Sequence, residues 1–555
     1  MKLKQGRETE DRNQCIQPTM GAVISYLQGG ITTVTSALRT LSALNAKYQS
    51  LLQRVHAGPF SPAENPTVSY WMQNPPFPEI GDIQDDLPAE ADVVIIGSGI
   101  TGAAAAKTVL ELSSSVSPAK APQVVVLEAR QLCSGATARN GGHIKCVPHE
   151  EFAQLRRTLG EEKARKIVRM KMRHLEVLQE VGAEMPWGEV REVETVDVCL
   201  ERGVFEKLKT RADELKEWMP ECEIEAWEAD EARERFGVNQ HVVGAVSYKA
   251  GALWPYRLVT STWNDLMKRY PNLAVSTHTM VSSISPNSDA ATADSTPYTV
   301  HTPRGTLRAK HVLHATNGYT GHLNPALRGC LTGVIGHMTA QSPGKSFAPV
   351  CHGGRSWSVI YGNGYDYVTQ RPDGEDGSAG ELMLGGGLFR SKDEGLDQIG
   401  VWDDGRTDAF PLMHLRGSMA TIFEPRWGVG GELKGAWTGI MGFTGDMLPF
   451  VGSLPAEMDV LVPSRKSKTK RIQGGFEKGA SGQWLAAGFN GEGMVWAWLS
   501  GVAVAIMMLG LEEEDLEKAV GRPGGRLDEW YPMEEVRVDA ARLRRADLTN
   551  MAGEV

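Results

Sequence analysis

The segment ADVVIIGSGITG, Ala91 to Gly102, constrains what this chain can fold into more than any other. A short apolar strand without polar alternation is one buried on both faces, as in a parallel sheet covered by helices. It runs into Gly97-Ser98-Gly99-Ile100-Thr101-Gly102, and Ala-rich helical sequence follows from Ile100 to Leu112. A second apolar strand, Gln123 to Ala129, completes a βαβ unit. In such a unit Gly97 permits the tight turn, Gly99 lets a pyrophosphate approach the backbone, and Gly102 lets helix pack on strand. The helix N-terminus offers unpaired N–H groups and about half a positive charge to the phosphates. Glu128 ends the second strand, somewhat later than the usual spacing of about 20 residues, with the loop Ser113 to Pro122 absorbing the excess. A carboxylate there accepts from both ribose hydroxyls and repels a 2′-phosphate, which favours FAD or NAD over NADP. The plainer alternative is a Gly-rich turn beside an exposed glutamate.

Length and composition agree with a multidomain globular protein. The 555 residues suffice for two to four domains, and 41% hydrophobic residues can fill their cores. The net charge of −10, with no long basic block, argues against nucleic-acid binding. Seven cysteines, Cys15, Cys133, Cys146, Cys199, Cys222, Cys330 and Cys351, form no CxxC pair, so neither a disulfide framework nor a zinc site is expected. The polar N-terminus lacks a signal core, and the longest apolar run, Ala497 to Leu511, is too short to span a bilayer. A cytoplasmic protein without a transmembrane segment is expected. Met20 to Ser25 fits a myristoylation signal only if translation starts at Met20, and an ordinary N-terminal helix is the simpler reading.

Residues 20–56 read as a helical hairpin or one long helix. The Pro-rich stretch Asn65 to Pro88 must run extended, with Trp71 and Phe77 packing it on the main body as a strap. Phe152 to Val181 is periodic as a helix, Tyr298 to Thr302 and Leu307 to Ala315 as strands, and Pro286 to Pro297 as a surface loop. Strands are expected at Tyr365 to Thr369 and Glu381 to Leu384, a buried helix at Trp498 to Leu509, and an exposed C-terminal helix at Val538 to Leu548.

Further segments occur in a fixed order. After Glu128, Ala129 and Arg130 comes Ser134-Gly135-Ala136-Thr137-Ala138-Arg139-Asn140-Gly141-Gly142-His143, whose small residues let backbone run against a flat ligand. Then follow GALWP (Gly251 to Pro255), Ala315-Thr316-Asn317-Gly318-Tyr319, WTGIMGFTGDMLP (Trp437 to Pro449, including Asp446), and Ala487-Gly488-Phe489-Asn490-Gly491-Glu492-Gly493-Met494. With the glycine motif these resemble the FAD-dependent oxidoreductases of the D-amino-acid oxidase, sarcosine oxidase and γ-glutamylputrescine oxidase superfamily. The resemblance implies an α/β fold: a discontinuous Rossmann-like FAD-binding domain (89–185, 246–330 and 435–512) and a mixed or antiparallel-sheet substrate domain (186–245 and 331–434). Residues 1–88 form an N-terminal helical and Pro-rich extension, and 513–555 a charged tail.

It also implies FAD as cofactor, held by the motif residues above, with the last glycine turn and its helix facing the flavin pyrimidine edge. The implied chemistry is hydride transfer from a C–H beside an amine nitrogen to flavin N5, with O2 as acceptor and H2O2 as product. A flavin dehydrogenase using another acceptor, or a flavin-binding scaffold without turnover, are the alternatives. His337 would enter the substrate sheet and face the flavin, or be an ordinary core or surface histidine. Arg371 shares a strand face with Tyr365, Tyr367 and Thr369 by the period of two; it would bind a substrate carboxylate, or be a surface arginine beside the turn Pro372 to Gly374. His143 lies where some relatives attach flavin, yet the motif differs from theirs and non-covalent FAD is expected. Lys145 would act in oxygen activation, or be a solvated charge. No metal is expected.

Overall fold

The computed structural model describes residues 20–116, 121–289, 292, 295–347, 352–455, 458 and 481–549. Cys15 and Cys351 lie outside them, as does part of the Pro286 to Pro297 loop. The chain divides into two compact units, residues 1–53 and 54–555. What is described of the first is helical, and the helix Met20–Ala57 is continuous rather than a hairpin.

The second unit is built on two sheets. The first has eight strands, and its central order is Phe450–Ser453, Gly482–Ala487, Gly305–His314, Glu90–Ile96, Val124–Leu127, Leu273–Ser276. All but the first of these neighbours run parallel, with Val93 beside Val124 and Ile96 beside His314. Val93, Val94 and Ile95 are fully buried, as a continuous apolar run requires when both faces are covered. Helix Ile100–Val116 packs against helix Ala497–Leu509. Gly501 makes their close approach possible, since a Cβ there would collide with the Thr101 carbonyl oxygen. The apolar helix stops at Gly510, whose φ of 68° is left-handed.

The second sheet has nine strands, in the order Leu433–Thr444, Leu331–Gln341, Leu382–Gly386, Gly364–Gln370, Arg355–Tyr361, Arg191–Cys199, Gly244–Ala252, His143–Ile144, with Ile224–Glu228 also paired to Gly244–Ala252. It is antiparallel except where Arg355–Tyr361 runs parallel to Arg191–Cys199. The expected seams at 245/246 and 434/435 meet strands rather than loops: Gly244–Ala252 crosses the first and Leu433–Thr444 the second.

Two expected elements differ. The periodic stretch Phe152 to Val181 is two helices, Pro148–Leu159 and Glu161–Glu184, because Gly160 at φ 86° breaks the first. The C-terminal helix is shorter, Ala540–Arg545, and is anchored rather than exposed. Its Arg542 is 1% exposed and donates to Asp446 Oδ2 at 2.9 Å.

The Pro-rich strap is packed as expected, through two short 3-10 turns, Tyr70–Met72 and Pro78–Ile80. Trp71 is buried against Trp254, and Phe77 packs on the same core. Among the described residues no helix is long and apolar enough to cross a membrane.

Candidate functional site

A cavity of about 660 Å³ lies where the C-terminal ends of the first sheet meet the second sheet. That volume is in the range of small-molecule and cofactor sites. From the first sheet and its turns come Gly97, Gly99, Ile100, Thr101, Glu128, Ala129 and Arg130. Ala315, Thr316 and Asn317 follow the strand Gly305–His314 into the same space. The run Ala136, Thr137, Arg139, Asn140, Gly141 and His143 lines it too, as do Gly491, Glu492, Gly493 and Met494. Twenty of the residues read from the sequence as cofactor-binding are therefore gathered around one space.

The glycine turn is shaped for a close ligand. Gly97 has a φ of 109°, and a Cβ at Gly99 would stand 2.9 Å from Thr137 Oγ1. Thr137 Oγ1 also accepts from the Ile100 N–H at 3.0 Å, fixing the first turn of the helix against the loop. Glu128 is held by the turn it serves: Oε2 accepts from Ser98 N–H at 3.0 Å and from its hydroxyl at 2.7 Å, and Oε1 from Arg130 N–H at 3.1 Å. A pre-oriented carboxylate and a side-chain-free cradle at a helix N-terminus fit a dinucleotide.

Five of the expected cofactor residues lie behind the cavity wall. Gly102 meets the Gly97 carbonyl, so its missing side chain serves helix packing. Gly142, at φ 63°, fits beneath Trp71 and Leu253. Gly488 and Asn490 hold the last glycine turn: Asn490 Nδ2 donates to Gly488 O at 2.9 Å, and its Oδ1 accepts from Thr444 N–H at 2.8 Å. Asp446 is the partner of Arg542 and anchors the C-terminal helix, so it has no part in the cavity.

The second sheet supplies a polar wall. Lys145 lines the cavity and donates to Asp197 and to Ser358 Oγ, the latter at 2.6 Å. Tyr248 donates to the other Asp197 oxygen at 2.7 Å. Burial raises the Asp197 carboxyl, but Lys145 outweighs it and holds the group below its ordinary value. Tyr365 and Tyr367 reach the cavity from the strand Gly364–Gln370. Burial, helped by Lys145, pushes the His143 imidazole down to about 3, and burial holds His149 at about 4.

His337 and Arg371 are placed elsewhere. On the strand Leu331–Gln341, Gly336 and Met338 line the cavity while His337 does not, and its Nε2 accepts from Asp408 N–H at 2.9 Å. The alternation of strand faces separates it from its neighbours. Arg371 lies one residue past its strand, donating to Glu189 Oε1 at 2.9 Å and Glu381 Oε2 at 2.8 Å, with the guanidinium over Trp254. Both its charge and its donors are spent on Glu189 and Glu381.

Sequence reading missed Asp197, His149 and the pair Glu151 and Lys171. Asp197 had a signal: a carboxylate in the Val-rich end of the strand Arg191–Cys199, between buried Val196 and Val198. Lys171 had another, standing four residues after Ile167 and seven before Leu178 on the buried face of its helix. His149 had none.

The family profile described as FAD dependent oxidoreductase (DAO) matches residues 92–507. No curated protein sequence matches the chain. Among solved structures, glycine oxidase from Geobacillus kaustophilus is similar with a TM-score of 0.54 at 17% identity, covering 76% of this chain and 95% of its own. L-proline dehydrogenase from P. horikoshii gives 0.54 at 17% identity, covering 82% of this chain and 100% of its own. L-amino acid deaminase from Proteus vulgaris gives 0.54 at 14%, covering 81% and 98%. At such identities the likeness is one of fold.

Proposed function

The chain belongs to the family of FAD-dependent oxidoreductases, and from that premise we propose that it oxidises a C–N bond of an amine or amino-acid-like small molecule, with O2 as acceptor and H2O2 as product. The observation that carries this reading is the single cavity shared by the glycine cradle and the polar wall of the second sheet. FAD supplies the hydride acceptor, flavin N5, when bound there.

The protein's own residues bind and orient. Gly97, Gly99 and the N-terminus of the helix Ile100–Val116 would hold the pyrophosphate, and Glu128 the ribose. The turn Gly491 to Met494 precedes the helix Ala497–Leu509 and would face the flavin pyrimidine edge with backbone N–H groups. Lys145, fixed by Asp197 and Ser358, presents a cation to the cavity and is the group we assign to the reaction with oxygen. Catalysis asks little more of the protein than a deprotonated amine held in a dry space. FAD is held non-covalently in this reading, and the enzyme is cytoplasmic. Support for that location comes from Cys133, Cys146, Cys199, Cys222 and Cys330, all buried and unpaired.

The test is a visible spectrum of the purified protein before and after acid precipitation, then anaerobic addition of amines and amino acids. Flavin released to the supernatant, bleached by a substrate and restored by air with peroxide formation, is expected. Bleaching with re-oxidation by a dye but not by oxygen would make it a dehydrogenase. Flavin that no amine or amino acid bleaches would overturn the reading.

A further inference from the structure

The charged groups along the second-sheet part of the cavity balance in all places but one. Lys145 is matched by Asp197, and Glu150 by Arg211. Glu151 and Glu492, by contrast, share a single cation, Lys171. Both carboxylates line the cavity, and Lys171, with its side chain 3% exposed, stands behind them. Glu151 Oε1 accepts from the Val147 N–H at 2.9 Å, so its orientation is set by the start of the helix Pro148–Leu159. Two carboxylates, Glu151 largely buried and Glu492 about one-third exposed, around one buried ammonium leave one negative charge uncompensated, and burial of Glu151 makes that costly.

A second observation points to a ligand at the same place. His149, two residues before Glu151, lines the cavity, is 1% exposed, and has no hydrogen-bond partner on either ring nitrogen. Buried polar atoms are ordinarily paired. Its ring meets Tyr248 in a T-shaped arrangement, with centroids 5.4 Å apart. The arginines of the cavity wall, Arg130 and Arg139, are both engaged by Asp404. Arg371 is outside the cavity, so among the described residues no uncommitted guanidinium lines it to meet a substrate carboxylate.

We propose that Glu151, with Glu492 and Lys171, forms an ammonium site, and that the substrate is an amine carrying no carboxylate beside its nitrogen. This rests on the oxidation of a C–N bond argued above and narrows its substrate class. The incoming cation supplies the second positive charge the pair of carboxylates lacks. Its proton then passes to Glu151: one N–H bond breaks, one O–H bond forms on the carboxylate, and the amine is left neutral. The ionisable groups facing Glu151 are Lys171 and Glu492, with Cys146 from its own segment and Tyr248 from the strand Gly244–Ala252. Burial, reinforced by Glu492 and opposed by Lys171, pushes the Glu151 carboxyl up to about 7. Cation binding therefore strengthens as pH rises through neutrality.

The test titrates the FAD-loaded enzyme with benzyltrimethylammonium, which cannot lose a proton from nitrogen, and with benzoate, following the flavin absorbance. The expected result is tighter binding of the cation, by about tenfold at pH 8, and about tenfold tightening between pH 6 and pH 8 as one carboxyl ionises. Glu151→Gln should weaken the cation and abolish that pH dependence. Benzoate binding more tightly than the cation, or wild-type pH dependence in Glu151→Gln, would overturn the site. If the variant does not fold, the cation-to-anion ratio and pH slope of the wild type decide alone. An amino acid that bleaches the flavin while the cation fails to bind removes the ammonium site and leaves C–N oxidation standing. Cation binding as expected, with no amine bleaching the flavin, supports the site and removes the oxidation reading.

Discussion

At the scale of single residues, two of the three glycines from Gly97 to Gly102, namely Gly99 and Gly102, are distinguished by what a methyl group would strike. At Gly102 it strikes the Gly97 carbonyl, which belongs to rigid backbone. Gly102→Ala should therefore damage helix packing and cofactor retention together, at a cost of about 2 kcal/mol or more. Gly99 faces the cavity, and its nearest neighbour is the Thr137 hydroxyl. Gly99→Ala should leave the denaturation midpoint of the apoprotein nearly unchanged while weakening FAD by about tenfold or more. Chemical denaturation and an FAD titration of both variants check this; equal stability losses would refute the distinction. Glycines of this kind were legible because a turn that only glycine fits leaves a fixed spacing. His337 was not, because strand periodicity gives relative faces without saying which face meets the cavity. Arg371 was not, because the strand whose Tyr365 and Tyr367 do reach the cavity ends at Gln370 before it.

At the scale of elements, the strap is a structural part of the site although it precedes the matched region. Ser69 Oγ donates to Ala138 O at 2.5 Å, and Trp71 Nε1 to Asn140 O at 2.6 Å. Thr67 Oγ1 accepts from Arg139 at 3.1 Å and from Thr438 N–H at 3.0 Å. The loop Ala136 to Gly142 is thus held from outside by residues 67–71. Trp71→Ala should cost about 3–5 kcal/mol by opening a cavity, and should also lower FAD affinity. Retention of both properties, measured by urea denaturation and FAD titration, would show that the strap is mere covering. Its packing was legible from two aromatic residues in a Pro-rich stretch. Its hydrogen bonds to the loop were not, because residues some seventy positions apart share no local pattern. The helix broken at Gly160 shows the same limit, since 3.6-residue periodicity continues across a break that keeps the buried face aligned.

At the scale of the molecule, buried neutral histidines set the response to acid. His149, His174 and His337 are held at about 4 and His143 and His311 at about 3, in each case chiefly by burial. Their folded values lie below the unfolded one, so their contribution is full above about pH 6.5 and is lost as pH falls toward the folded values. Each ring costs about 2 kcal/mol at pH 5 relative to pH 7. Glu151 acts in the opposite sense, stabilising below the unfolded carboxyl value and losing that as pH rises through about 7. Five rings outweigh one carboxyl, and Tm should drop by at least about 5 °C between pH 7 and pH 5. A scanning-calorimetry series that shows Tm rising instead would contradict the burial of these rings. The strap has one more consequence. Because residues 67–71 clasp the loop that lines the cavity, loosening the strap should loosen the hold on a dinucleotide in the cradle. Release of bound FAD, followed by flavin fluorescence, should then be faster in Trp71→Ala than in the wild type.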